Sequence, residues 1–141
     1  MADASPRPRR ISPSIALLTF ATVVERRFEP ELKARGLSRR KYGILGHIAA
    51  TPNVSYSELA RRSGITVQST HALIQGLIGD GLVEPDEPVV GAAARLAVSP
   101  RGRALLEELA DVVEAMDAEL FAAPPLSALD QALRSLSLIH I

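Results

Sequence analysis

The chain has 141 residues, 47% hydrophobic and 23% charged, with a formal net charge of zero. That is enough apolar material for one globular core, without the cationic excess of a protein that coats nucleic acid nonspecifically. Cysteine is absent, which excludes disulfides, thiolate catalysis, cysteine-rich zinc sites and cysteine-based oxidation sensing. No apolar run is long enough to span a bilayer, and the opening MADASPRPRRISPS has no apolar centre of a signal peptide, so the expected compartment is the cytoplasm. The charge is unevenly spread: residues 1–36 carry seven Lys/Arg against four Asp/Glu, 37–103 carry eight against five, and 104–141 carry one against seven. A polyanion is therefore met by the first two-thirds of the chain.

Residues 1–11, rich in Arg and Pro, read as a disordered basic arm. Ser12-Pro13 supplies an N-cap and a proline for the first helical position. In the helix that follows, Leu17, Ala21, Val24, Phe28 and Leu32 line one face, Ile15, Leu18 and Thr22 widen it, and Gly36 ends it. So broad an apolar surface needs covering from more than one side. Ser38 opens a second helix with Tyr42, Leu45, Ile48 and Ala49 at core spacing, broken at Pro52-Asn53. Ser55 and Glu58 form an S-x-x-E capping box for a short helix that turns Leu59 and Ala60 inward, and Gly64 supplies a turn. Thr66 caps a fourth helix in which Thr70, Leu73, Ile74, Leu77 and Ile78 recur at helical spacing, and Gly81 stops it at the C′ position.

Beyond Gly81 the apolar period changes: LVEP and ARLAV read as two short strands joined by the hairpin loop DEPVVG. Ser99-Pro100 repeats the start signal and opens a long helix striped by Leu105, Leu109, Val112, Met116 and Leu120, flanked by Leu106 and Val113, over an acidic opposite face. Pro124-Pro125 breaks it, and Ser127 with Asp130 begins a last helix bearing Leu129, Leu133 and Leu136. The closing SLIHI is odd, as at a truncation or readthrough end, and is given no weight in the fold.

Three helices followed by a β-hairpin is the order of a winged helix-turn-helix, in which the helix after the turn enters the major groove. The segments LSRRKYGILGHIA, SYSELARRSGITVQSTHALIQGLIGDGLVE and LAVSPRGRALLEEL, in that order, resemble the multiple antibiotic resistance regulator (MarR) family, and the resemblance runs from about Ile15 to Leu136. It implies a mainly α fold with a small β-hairpin wing, a winged helix-turn-helix flanked by N- and C-terminal dimerisation helices. It also implies an obligate homodimer that binds pseudo-palindromic double-stranded DNA, a transcriptional repressor released by a small aromatic or phenolic effector. The organisation expected is a basic arm at 1–11, an N-terminal dimerisation helix at 12–36, the winged helix-turn-helix at 37–99 and C-terminal dimerisation helices at 100–141. The residues themselves argue for a partner, because the first helix and the long helix from Pro100 expose more apolar surface than one small lobe covers.

The family usually places Arg or Lys on the outer face of its recognition helix and an Asp-x-Arg pair near the wing tip. Here that helix face is Gln68, Ser69, His71, Ala72, Gln75, Gly76 and Gly79, and Val90 and Ala92 stand where the Asp and Arg are expected, leaving Arg95 as the wing cation. Arg39, Arg40 and Lys41 at the start of the second helix, and Arg61 and Arg62 before the turn, are candidate phosphate contacts, although such charges also serve as a solvated face. Gln68 and Gln75 suit adenine edges, Ser69 either base or phosphate, and His71 and Thr66 complete the candidate DNA-contacting set. Phe20, Arg27, Tyr42 and His47 lie on the elements that the resemblance assigns to an effector pocket, with Val24 and Leu45 reading as core.

The missing cations also permit another reading: a degenerate winged-helix module that binds a ligand or protein partner with little DNA affinity. Catalysis has no footing, because there is no G-x-S-x-G, no glycine-rich phosphate loop and no H-E-x-x-H, and the three histidines are scattered at 47, 71 and 140. Neither a cofactor nor a metal is expected.

Overall fold

The computed structural model describes residues 12–51, 53–85, 96–124 and 126–136. The expected basic arm, the DEPVVG loop and the closing SLIHI lie outside the described residues. The elements run α1 (Pro13–Ala34), α2 (Arg39–Ala50), α3 (Tyr56–Ser63), α4 (Val67–Gly79), β1 (Val83–Pro85), β2 (Leu96–Val98), α5 (Pro100–Leu120) and α6 (Leu126–Leu136). The strands pair antiparallel with Val83 opposite Val98, Glu84 opposite Ala97 and Pro85 opposite Leu96. Among the described residues no helix is long and apolar enough to cross a membrane.

Short polar side chains start the helices by accepting orphan backbone N–H groups. The Ser38, Ser55, Thr66 and Ser99 oxygens accept from Lys41, Glu58, Ser69 and Gly102 respectively. Three start signals are realised only in part, among them that of α6, which begins at Leu126 instead of the expected Ser127. Ser12 sits at the N-cap of α1 without a side-chain capping bond, leaving Pro13 as the start signal. Ser55 makes its half of the capping box, but the Glu58 carboxylate turns away to Arg61 and Arg62.

Gly64 closes α3 with φ +62° and Gly81 follows α4 with φ +70°, left-handed positions that favour glycine. Between them α3 and α4 form the helix-turn-helix. Its core joins Ile44, Leu45 and Ile48 of α2, Leu59 of α3, and Ile74 and Leu77 of α4 to Leu82, Val83, Leu96 and Val98 from the hairpin. Each such side chain contributes about 1.5–3 kcal/mol relative to exposure. Ile44 takes the buried place that the spacing gave to Ala49, which is exposed.

The Ser-Pro-x-Gly segment anchors the hairpin to α5. The Ser99 hydroxyl donates to the Gly81 carbonyl at 2.7 Å and accepts from the Gly102 N–H at 3.0 Å. A Cβ at position 102 would lie 2.2 Å from the Leu82 carbonyl oxygen, so only glycine permits this close packing.

The two long helices extend past this core. In α1 only Leu32 is buried, while Ile15, Leu17 and Leu18 are 57%, 50% and 66% exposed. Leu109 alone of the expected α5 stripe is buried, and α6 buries no residue. Ion pairs Arg27–Glu119 and Arg35–Glu108, at 2.9 and 2.8 Å, and the tilted ring pair Phe20–Phe121, 5.5 Å between centroids, link α1 to α5 and the residue that follows it.

Candidate nucleic-acid interface

Helix α4 presents Val67, Gln68, Ser69, His71, Ala72, Gln75 and Gly79 to solvent and carries no Lys or Arg. Its first turn is fixed: the Thr66 hydroxyl donates to Ser69 Oγ at 2.9 Å while accepting from the Ser69 N–H at 3.1 Å. Beneath it, buried Thr70 returns its hydroxyl to the Thr66 carbonyl.

Neighbouring helices flank this face on both sides. From α3, Tyr56 stacks on His71 with ring centroids 4.0 Å apart and planes inclined by 17°, and burial pushes the Tyr56 phenol above its ordinary pKa. From α2, Lys41 reaches over Gly76 to pair with Asp80 at 2.6 Å. Gly76, expected on the open face, is consequently half-buried. Sequence reasoning missed Tyr56 and Asp80, since both act through contacts with residues distant in the chain.

Most of the expected phosphate-contacting cations are paired with carboxylates. Arg61 and Arg62 both converge on Glu58, at 2.6 and 2.7 Å, and Arg62 also donates to Thr51 Oγ1 at 2.8 Å. Hydrogen bonds from Arg61 and then Arg62 hold the Glu58 carboxyl down at about 2. Arg39 pairs with Glu25 of α1. Arg40 is exposed and makes no ion pair among the described residues. Arg95, with Val90 and Ala92, lies outside the described residues.

Away from this face, a cavity of about 1080 Å³ opens between α1, the start of α2, the end of α5 and α6. Phe20, Val24, Phe28, Tyr42, Phe121 and Leu133 supply its apolar wall, and Glu25, Glu29, Arg39, Asp117, Asp130 and Arg134 its charges. Phe28 and Tyr42 meet edge to face with centroids 5.2 Å apart. Of the expected effector residues Phe20 and Tyr42 line this cavity, whereas Arg27 and His47 do not. Arg27 is engaged with Glu119, and His47 is half-buried elsewhere on α2. Among the described residues no group of three or more His, Asp or Glu gathers to hold a metal ion.

Residues 35–91 match the MarR family. Over 98 residues the chain is 31% identical to the HTH-type transcriptional repressor Rv2887 of Mycobacterium tuberculosis, spanning 66% of this chain and 70% of that protein. The chain belongs to the MarR family. Its matched segment begins before α2 and ends at residue 91, between β1 and β2 in the sequence, and it contains every candidate DNA-contacting residue except Arg95. The crystal structure of the M. tuberculosis MarR family protein Rv2887 in complex with DNA aligns with a TM-score of 0.74 at 25% identity, over 90% of this chain and 98% of that one. Rv2887 in complex with salicylic acid aligns with a TM-score of 0.71 at 26% identity, covering 91% and 98%. The MarR fold thus extends beyond the matched segment to the long helices that frame the cavity.

Proposed function

We propose that this MarR family chain is a dimeric, non-enzymatic, cytoplasmic transcriptional repressor that binds operator DNA through α4 and is released by a small aromatic or phenolic effector. One observation carries the reading: the alignment, over nine-tenths of the chain, with a relative solved both with DNA and with salicylic acid. The rigidly capped, polar face of α4 supports base reading by Gln68, Ser69, His71 and Gln75, with Arg39, Arg40, Lys41, Arg61, Arg62 and Arg95 addressing phosphates and Thr66 at the helix start.

The exposed apolar residues of α1 and α6, including Leu17, Leu18, Leu133 and Leu136, support dimerisation through the terminal helices. The aromatic cavity joins α1, α5 and α6 to the start of α2, so a ligand preferring one spacing of these elements shifts the DNA-binding lobes and lowers operator affinity. An aromatic acid entering it competes with Glu25 for Arg39 or with Asp130 for Arg134. The test is retardation of promoter fragments with and without salicylic acid. Release of bound DNA, accompanied by a higher melting temperature of the protein, is the expected result, and unchanged retardation across a panel of aromatic acids and phenols refutes effector control.

The competing reading, a winged-helix module with little DNA affinity, has one observation in its favour: Lys41, Arg61 and Arg62 are all engaged with carboxylates. Binding at low salt separates the two, because phosphates displace surface carboxylates most readily there.

A further inference from the structure

Although α4 has no Lys or Arg of its own, a cation lies along its flank. Lys41 extends from the first turn of α2 across Gly76: a Cβ at position 76 would stand 3.1 Å from Lys41 Cε and 3.3 Å from Nζ. The ammonium ends 2.6 Å from the carboxylate of Asp80, the C-cap of α4, and the lysine side chain is 24% exposed. Glycine is a poor interior helix residue, and Gly76, unlike Gly36, Gly64 and Gly81, has no positive φ to require it. What glycine provides here is space. A methyl group at 76 needs the end of Lys41 to give by a few tenths of an ångström, and a longer side chain needs the space that this end now fills.

We propose that Lys41 is the cation of the recognition helix, supplied by the neighbouring helix: Gly76 seats its stem, and Asp80 holds its ammonium against α4 until a DNA phosphate takes it over. The proposal rests on the DNA-binding reading and assigns a single role to three residues. Lys41 touches the backbone, while Gly76 and Asp80 position it. In the free protein the Lys41–Asp80 pair is neutral, so the flank draws little on long-range attraction. On docking, phosphate oxygens replace the carboxylate at Nζ. This places a charged anchor on the DNA backbone beside the polar reading face of the cation-free α4, which a solvated lysine anywhere else on α2 does not provide.

The experiment is a salt titration of operator binding by the full-length chain and four variants, with thermal unfolding of each as a control. Lys41→Ala should weaken binding to all duplexes alike and reduce the slope of log affinity against log salt by about 1 for each phosphate that is no longer neutralised. Gly76→Leu, whose side chain needs the space that the end of Lys41 now fills, should displace Lys41 and flatten the slope similarly in a protein that stays folded. Asp80→Asn, which frees the ammonium, should strengthen binding. The double variant Lys41→Ala/Gly76→Lys, which moves the charge onto α4 itself, should recover the slope. A folded Lys41→Ala protein with the wild-type slope, or a folded double variant that recovers nothing, overturns the proposal while leaving the regulator reading intact. Wild-type protein that binds no duplex overturns both.

Discussion

The imidazole of His71 lies flat against the phenol ring of Tyr56, with centroids 4.0 Å apart and planes 17° apart. An exposed histidine on a mobile rotamer is a poor reader of a base edge, because its side-chain freedom must be surrendered on binding. Stacked on α3, it is already ordered. Tyr56→Ala is therefore expected to relax base preference at the same operator position as His71→Ala, with the double variant no worse than either single one, while Tyr56→Phe keeps the preference. Sequence selection with the four proteins checks this. Additive losses at different positions contradict a shared unit.

Glu58 holds both arginines that precede the turn. Glu58→Gln should release Arg61 and Arg62 to phosphates, raising operator affinity and steepening the salt dependence by up to about 1 for each phosphate newly neutralised. The same substitution alters the acid limb of stability. Because the folded carboxyl sits at about 2 against an ordinary value of 4.5, its contribution is complete above the ordinary carboxylate range and is lost as pH falls from there toward 2. Wild type should lose stability relative to Glu58→Gln across that window and keep a constant difference at higher pH, as read by urea unfolding at a series of pH values.

Gly102→Ala inserts a methyl group 2.2 Å from the Leu82 carbonyl oxygen and 2.7 Å from Val98 Cγ1. Neither the backbone nor a buried valine yields cheaply, so the expected cost is about 1–3 kcal/mol, the range for overpacking. Denaturant unfolding measures it. An unchanged midpoint contradicts the close packing of α5 on the hairpin.

The exposed apolar residues of α1 and α6 support a dimer. Light scattering should give twice the chain mass of 15.1 kDa, and Leu17→Asp together with Leu133→Asp should split the dimer or unfold it. A stable, fully helical particle of single-chain mass contradicts the assignment of α1 and α6 to dimerisation.

Most helix limits were legible in the sequence where a local signal existed, although Ser12 makes no capping bond and α6 begins at Leu126 instead of Ser127. Ser38, Ser55, Thr66 and Ser99 announce starts because capping needs only a short acceptor near the next turn, and Gly64 and Gly81 announce stops because their backbone is left-handed. Relationships across the fold were not legible. Lys41 and Asp80 are 39 positions apart, and helical periodicity places Gly76 and Gln75 on one broad face without saying which one a neighbour covers. Periodicity put Ala49 at core spacing, and packing gave the buried place to the larger Ile44 instead. The cavity draws on α1, α5 and α6 together, so the sequence reached Phe20 and Tyr42 by their elements, while Arg27 is turned to Glu119 instead.

The central claim, that α4 reads DNA without cations of its own, is tested most directly by selecting operators from random duplexes with the full-length protein. The expected result is a pseudo-palindrome whose half-sites are centred about one helical turn, roughly 10 bp, apart, with a salt dependence that flattens when Lys41 or Arg62 is replaced by alanine. Recovery of no motif, with no binding even at about 50 mM salt where electrostatic attraction is strong, contradicts it.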